Sequence, residues 1–341
     1  MKFAEDRPTP RQKRKYLDRR PTMEVVYAPV IILTLNRYEH LKRCISSLQK
    51  NGWAKYTPLY ISVDFPPASK YEEGYQKICE YLKSGIDGFA SVTVFYQRNN
   101  LGAYKNELFL IDEVRKQYDR YIFTEDDNEF SPNFIEFIDK GLVLFQKDED
   151  VIAVCAAGSA APETKQDNVM LSVNFAAYGY GSWIKKEDKY RKAICRKYFV
   201  EIAHNNSKMF KLAKVSPELL FALQSAILRK ERLYQLENGE IPLIDMTLKI
   251  YMVLEKKYAV SSLWRKARNW GYDGSGENCD GENSAYLKNI KVDIDTRDSF
   301  DYIYSKPMKI FPFKGKYTFE TFCRVIMVFI KLSIWRLKDG T

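Results

Sequence analysis

The residues best suited to chemistry form a short acidic run, Glu125-Asp126-Asp127-Asn128, directly after the apolar stretch RYIFT at 120–124. Three adjacent carboxylates repel one another unless a cation offsets them. Their hard oxygens suit Mn²⁺ or Mg²⁺, and magnesium sites commonly combine one or two carboxylates with a diphosphate. The plainer use of Asp126, Asp127 or Asn128 is to start a turn or cap a helix, and spacing alone leaves both open. Only two histidines, His40 and His204, occur in the 341 residues, which argues against a multi-histidine metal site or a Ser-His-Asp triad. The six cysteines lie at 44, 79, 155, 195, 279 and 323. That spacing excludes a zinc ribbon and reads as reduced thiols of a cytosolic protein.

The elements that must position the acids alternate along the chain. APVIILTL (28–35), PLYISV (58–63), SVTVFY (91–96), RYIFT and VIAVCA (151–156) read as strands from their apolar runs. Helical periodicity separates them, as at Leu41, Cys44, Ile45 and Leu48. Ser131 and Pro132 read as the cap and first residue of the helix that carries Phe134, Phe137 and Ile138. Successive βα units predict an α/β fold with a doubly wound, mostly parallel sheet. In such sheets ligands bind beyond the carboxyl ends of the strands. The first four strands all end there in polar residues: Asn36-Arg37, Asp64, Arg98-Asn99-Asn100-Leu101-Gly102 and the acidic run. The second half is less regular. AAGSAAPE and GYGSW read as loops, a long helix runs from Ser216-Pro217 to near Asn238-Gly239, a further helix covers about 245–257, and AVSSLW reads as a strand. The glycine signatures of a dinucleotide site and a P-loop are both absent, which weakens dehydrogenase and ATPase readings.

The net charge of +10 sits in the tails. Residues 1–20 hold eight Lys/Arg against three acids, and residues 306–341 hold eight against two, leaving 21–305 close to neutral. A nucleic-acid binder more often carries a basic face on its folded domain, so no nucleic-acid partner is expected. Basic tails fit an anionic membrane surface, or they simply aid solubility. FETFCRVIMVFIKLSIWRL (319–337) sets Glu320, Arg324, Lys331 and Lys338 in one stripe of an otherwise apolar helix. That arrangement suits a helix lying in a membrane interface, and equally a terminal helix packed on the domain with snorkelling basic stems. No signal peptide and no spanning helix are expected.

These motifs carry a resemblance. PVIILTLNRYEHLKRCISSL, ISVD, RNNLGAYKN and, centrally, YIFTEDDNEFSPNFIEF resemble GT-A fold glycosyltransferases of the large family-2-like group. The medial-Golgi N-acetylglucosaminyltransferases carry a similar EDD-x-x-x-x-P-x-F pattern. Bacterial sugar transferases of surface-polysaccharide clusters look closer, with a segment like GYGSWIKKEDKY and a late N-x-G-x-D-G-S-G loop, here Asn269 to Gly276. The resemblance covers about residues 28–285. It implies a nucleotide-sugar half (28–160) and an acceptor-side half (161–290), to which the charge pattern adds a basic tail (1–27) and a membrane-associating C-terminal amphipathic helical extension (291–341).

The resemblance also implies roles. Asp127 would bind Mn²⁺ or Mg²⁺. Glu125 and Asp126 would contact the ribose or donor sugar, Asp64 would read the base, and Thr34, Asn36 and Arg37 would hold the nucleotide end. Asn100 and Gly102 would line the donor loop, with Lys105 as a phosphate partner and Trp183 in the floor between donor and acceptor. Asp245 would be the catalytic base of an inverting displacement, although an ordinary N-cap reading of Asp245 stays open. Relatives often carry a metal-completing histidine where this chain has Asn278, an amide that is a weaker and harder ligand. The implied function is metal-dependent transfer of a sugar from a nucleotide-diphospho-sugar, with UDP as its nucleotide, to a glycan or lipid-linked acceptor at the cytoplasmic membrane face. The alternatives are a sugar nucleotidyltransferase, which normally has a Gly-rich phosphate loop where this chain has Asn36-Arg37-Tyr38-Glu39, and a degenerate membrane-bound scaffold.

Overall fold

The computed structural model describes residues 27–158, 168–271, 273–275, 293–304, 308, 310–311 and 318–339. Residues 1–26 of the expected basic tail (1–27) and Asn278 lie outside the described residues. In chain order the elements are β1 (Val30–Thr34), α1 (Tyr38–Gln49), β2 (Pro58–Val63), α2 (Glu72–Lys83), β3 (Ser91–Tyr96), α3 (Gly102–Val114), β4 (Arg120–Glu125) and β5 (Asn128–Phe130). Then come α4 (Phe134–Leu144), β6 (Val151–Cys155), β7 (Val169–Ser172), β8 (Tyr180–Trp183), α5 (Ile184–Ala193), α6 (Arg196–Ala203), α7 (Asn206–Val215) and α8 (Pro217–Leu228). The remainder is α9 (Lys230–Glu237), α10 (Ile244–Glu255), β9 (Tyr258–Ser262), β10 (Ala267–Asn269), β11 (Ile310–Phe311) and α11 (Phe319–Asp339).

Among the described residues, nine strands form one sheet in the order β11-β7-β9-β6-β8-β4-β1-β2-β3, and β10 pairs with β5 in a small second sheet. The pairs β1–β2, β1–β4, β2–β3 and β6–β9 are parallel. β8 runs antiparallel between β4 and β6. Alternation along each strand feeds two cores. Val30, Ile32, Leu59, Ile61 and Ile122 meet α1, α2 and α4 on one face. Ile31, Leu33, Tyr60, Tyr121 and Phe123 meet α3 and the helices of the second half on the other. The expected α/β class, with helices on both faces and a C-terminal helix, is the one found.

Three local expectations are corrected, and one expected strand is placed at the edge of the sheet. Tyr180–Trp183 is a fully buried central strand, not a loop. Its glycine is forced by packing, because a Cβ on Gly181 would lie 2.3 Å from the Ile138 side chain of α4. Ser131 does not cap α4. The helix starts at Phe134 with Asn133 before it, and Ser131 Oγ instead donates to Asn133 Oδ1 at 3.0 Å. The long helix after Ser216 is two helices, broken at Arg229, whose extended backbone (φ −90°, ψ 119°) no helix accommodates. Finally, β3 is a half-exposed edge strand.

Two polar clusters brace the core. Arg191 on α5 donates to Glu107 Oε1 of α3 at 2.9 Å and to Glu187 Oε1 at 2.6 Å, while Tyr121 donates to Glu187. Burial pushes the Glu107 carboxyl up to about 7, with the Arg191 charge opposing. Lys266, fully buried, donates to Asn133 Oδ1 at 2.7 Å and pairs with Asp295. Asp295 N in turn donates to Arg265 O at 2.8 Å. The five described cysteines are free.

Candidate active site

Parallel register sets the strand ends level. Thr34 pairs with Val63, Val63 with Tyr96, and Leu33 with Glu125, so the polar residues that follow β1 to β4 open on one edge. Glu125 closes β4, and Asp126-Asp127 make the turn into β5.

Asp126 and Asp127 are both nearly buried. Arg37, just before α1, bridges them: Nη1 donates to Asp127 Oδ2 at 2.8 Å and Nη2 donates to Asp126 Oδ1. Thr34 Oγ1 donates to the other Asp126 oxygen at 2.8 Å. Burial alone would lower Arg37, but the two aspartates outweigh it and push its pKa up. Burial raises Asp126 against the opposing Arg37 charge. Glu125 is pushed up to about 8 by burial first, then by the Asp127 charge, with smaller contributions from Asp126 and Asp245.

The late loop closes on the same point. β10 pairs antiparallel with β5, placing Asn269 opposite Asn128. Asn269 Nδ2 donates to Asp127 Oδ1 and to Asn128 Oδ1, each at 2.9 Å, and Trp270 N donates to Asp127 O at 2.8 Å. Beyond it, Asp273 Oδ2 lies 3.1 Å from His40 Nε2. Sequence reasoning found this loop but gave no role to Asn269 or Gly271. The signal was there, since the loop's first polar residue and first glycine both lie against the Asp127 carboxylate.

Asp245 sits in the first turn of α10, where the positive end of the helix dipole favours a carboxylate. It is not the N-cap. That position is Leu243, which adopts a left-handed φ of 49° without a side-chain cap. Asp245 Oδ1 instead accepts the Ala177 N–H at 2.9 Å. Burial raises its pKa, opposed by Lys249 one turn on and by the Ala177 donor.

The remaining expected site residues divide. Asp64 and the donor loop do come together, but both Asp64 oxygens are already occupied. They accept from Phe65 N (2.9 Å), Leu101 N (2.8 Å), Gly102 N (2.9 Å) and Asn100 Nδ2 (3.2 Å). The carboxylate is thus spent on fixing the loop at the start of α3, where Gly102 has a φ of +72° that glycine tolerates. Asn100 spends its amide on Asp64 and on Phe65 O at 2.7 Å. Asn36 lies under α2: a Cβ on Gly74 would fall 2.0 Å from Asn36 O. Lys105, largely exposed, pairs with Glu240 Oε1 at 3.3 Å. Trp183 does not floor the site. β8 runs antiparallel to β4, so Trp183 pairs with Arg120 at the far end of that strand. There it is buried, and its indole donates to Leu142 O at 3.1 Å.

Among the described residues, no three His, Cys, Asp or Glu side chains converge as a ready metal cage. The donor set nonetheless fits a hard divalent cation held partly by its ligand. Glu125, Asp126 and Asp127 bring three carboxylates, and the one guanidinium that answers them leaves negative charge in excess. Asp126 and Asp127 are the residues that would hold such an ion beside a diphosphate.

These observations place the chain among the glycosyltransferases. Residues 5–180, just over half its length, match the model of the GNT-I family, and the chain belongs to that family. No curated protein matches the sequence. Among solved structures, S. aureus TarS is 12% identical over 46% of this chain and 28% of its own, with a TM-score of 0.30. The same protein trimmed to 1–349 and bound to UDP is 12% identical over 46% of each chain, TM-score 0.32. The bifunctional glycosyltransferase WbbM, in its apo form, is 14% identical over 52% of this chain and 35% of its own, TM-score 0.31. This chain thus matches less than half the length of each of these structures, and likeness of that degree says nothing of function.

Proposed function

We propose that the protein is an inverting glycosyltransferase that moves a sugar from a nucleotide-diphospho-sugar, with UDP as its nucleotide, to a hydroxyl of a glycan or lipid-linked acceptor, at the cytoplasmic membrane face. The observation that carries this reading is the acidic tip of β4, where Arg37 and Asn269 hold Asp126 and Asp127 at the strand-end edge. Asp245 is half-buried, and that burial raises its pKa, the direction that suits a general base. The Ala177 N–H fixes its carboxylate, leaving the second oxygen to take the proton of the attacking hydroxyl. Arg37 holds Asp126 and Asp127 at fixed positions. A bound Mn²⁺ or Mg²⁺ would supply positive charge against the leaving diphosphate. Asn278 is carried in this proposal as a further ligand.

The test is a panel of nucleotide-sugars scored by thermal shift with and without Mn²⁺, followed by release of UDP in the presence and absence of chelator. A donor that raises the midpoint only with metal supports the reading, since a ligand bound to the folded state stabilises it by mass action. The degenerate-scaffold alternative has one observation in its favour: Arg37 already binds both aspartates. Absence of both donor binding and UDP release across the panel would select it.

A further inference from the structure

The C-terminal helix packs by one side only. Val328 and Leu332 of α11 are buried, with Val325, Phe329 and Trp335 half-buried beside them against the helices of the second half. Arg336 Nη2 pins the far end to Asn206 Oδ1 at 2.8 Å. That side accounts for the helix as part of the domain and leaves its other side unexplained. Phe319, Phe322, Ile326, Ile330, Ile334 and Leu337 are between 44% and 83% exposed. At 100° per residue they fall within an arc of about 120°. An outward face on a soluble helix is ordinarily polar, and an apolar row of this length marks a surface that is covered in use.

A basic cleft of about 280 Å³ runs along one edge of this row, between α8 and α11. Arg229, Arg324 and Lys331 line it with Phe221, Leu228 and Met327. Arg324 lies over the Phe221 ring at 4.6 Å, and none of the three basic side chains has an ion-pair partner among the described residues. No described helix is long and apolar enough to cross a membrane. An apolar row beside unpaired basic side chains matches the layering of an anionic bilayer surface, acyl chains below and phosphates beside them. A second copy of the chain fits less well, because a twofold pairing of the row would offer its basic edges no acidic surface.

We propose that α11 docks flat on an anionic lipid bilayer through this row, and that Arg229, Arg324 and Lys331 seat a lipid phosphate in the cleft. The proposal deepens the membrane-side reading given above and rests on it for purpose, not for geometry. α11 packs on α8, and α8 on α10, the helix that carries Asp245. One helix therefore separates the docked face from the helix that carries the proposed base.

The test is co-sedimentation of the full chain with phosphatidylcholine vesicles, with and without phosphatidylglycerol. Binding to the anionic vesicles that weakens with salt is expected. Arg324→Glu/Lys331→Glu should lower vesicle affinity by about tenfold or more, since each basic residue near such a surface contributes on the order of 1 kcal/mol. Ile326→Asp/Ile330→Asp should lower it at least as far with the thermal midpoint kept, because both positions are solvent-facing. Unchanged binding in either variant would assign attachment to the N-terminal basic tail and overturn the proposal. So would a dimer in solution that Ile326→Asp/Ile330→Asp dissociates while wild-type protein ignores vesicles. Displacement by soluble glycerol phosphate alone would reduce the cleft to a phosphate site and overturn the docking role of the row. Donor hydrolysis in solution is read separately, so wild-type protein that hydrolyses donor but ignores vesicles counts against this proposal and not against the transferase.

Discussion

A Cβ added to Gly271 would lie 2.1 Å from Asp127 Oδ2. The late loop therefore meets Asp127 Oδ2 with bare backbone, while the Asn269 side chain holds Oδ1, and a methyl group at 271 must push one of them aside. Gly271→Ala should leave the fold standing, at a cost of roughly 1–3 kcal/mol for overpacking, while donor-dependent thermal shift is lost. A variant that still shows the wild-type shift would separate the loop from the donor site.

Arg37→Gln removes the single cation between Asp126 and Asp127. Breaking a buried pair from one side costs about 3–5 kcal/mol, so the thermal midpoint should fall. If the acids hold a divalent cation, Mn²⁺ should restore more of the midpoint in this variant than it adds to wild type. Equal increments in the two proteins would show that ion and guanidinium do not share these carboxylates.

Asp245→Asn keeps an oxygen for the Ala177 N–H and loses the charge and the ability to accept a proton. Donor binding should be unchanged, and transfer should fall about 10²–10⁴-fold, the range for loss of a general base. Turnover near wild type would remove Asp245 from the mechanism.

Glu107 gives a pH signature away from the site. Its carboxyl is raised from 4.5 to about 7 in the folded protein, so between those values the folded state holds more protons than the unfolded chain. Stability from this group is then full below pH 4.5 and is lost as pH rises through 7. Glu107→Gln should flatten that part of the stability profile. A profile with the wild-type slope would assign the fall to other groups.

Trp183→Phe tests the correction at β8. Losing the indole donor to Leu142 O should cost on the order of 1–3 kcal/mol, with nucleotide-sugar binding untouched. Weakened donor binding at full stability would return Trp183 to the site.

The donor-side strands were legible because each is a continuous apolar run that stops abruptly at polar residues, and parallel register then aligns those stops without further information. The acids of β4 were legible for the same reason. Trp183 was not, because an aromatic-glycine segment says nothing of strand direction, and only the antiparallel insertion of β8 carries its far end away from the acids. The residue type of Asp64 announced a polar contact, but most of its partners are backbone N–H groups that no sequence displays. Arg37 was seen as a nucleotide contact, while its hold on both aspartates depends on 90 residues of intervening chain returning to β1. Asp245 was readable as an acid at a helix start, and its departure from the cap position follows from the left-handed turn at Leu243.

Asp295 N donating to Arg265 O brings the chain back to its point of departure after the strand-end loop. Lys266, the next residue, is buried and pairs with Asp295, so the strand that carries Asn269 to Asp127 is fastened at its root. The acids at the tip of β4 thus owe their late-loop contact to an ion pair at the start of β10, and loosening Lys266–Asp295 would be felt at Asp127.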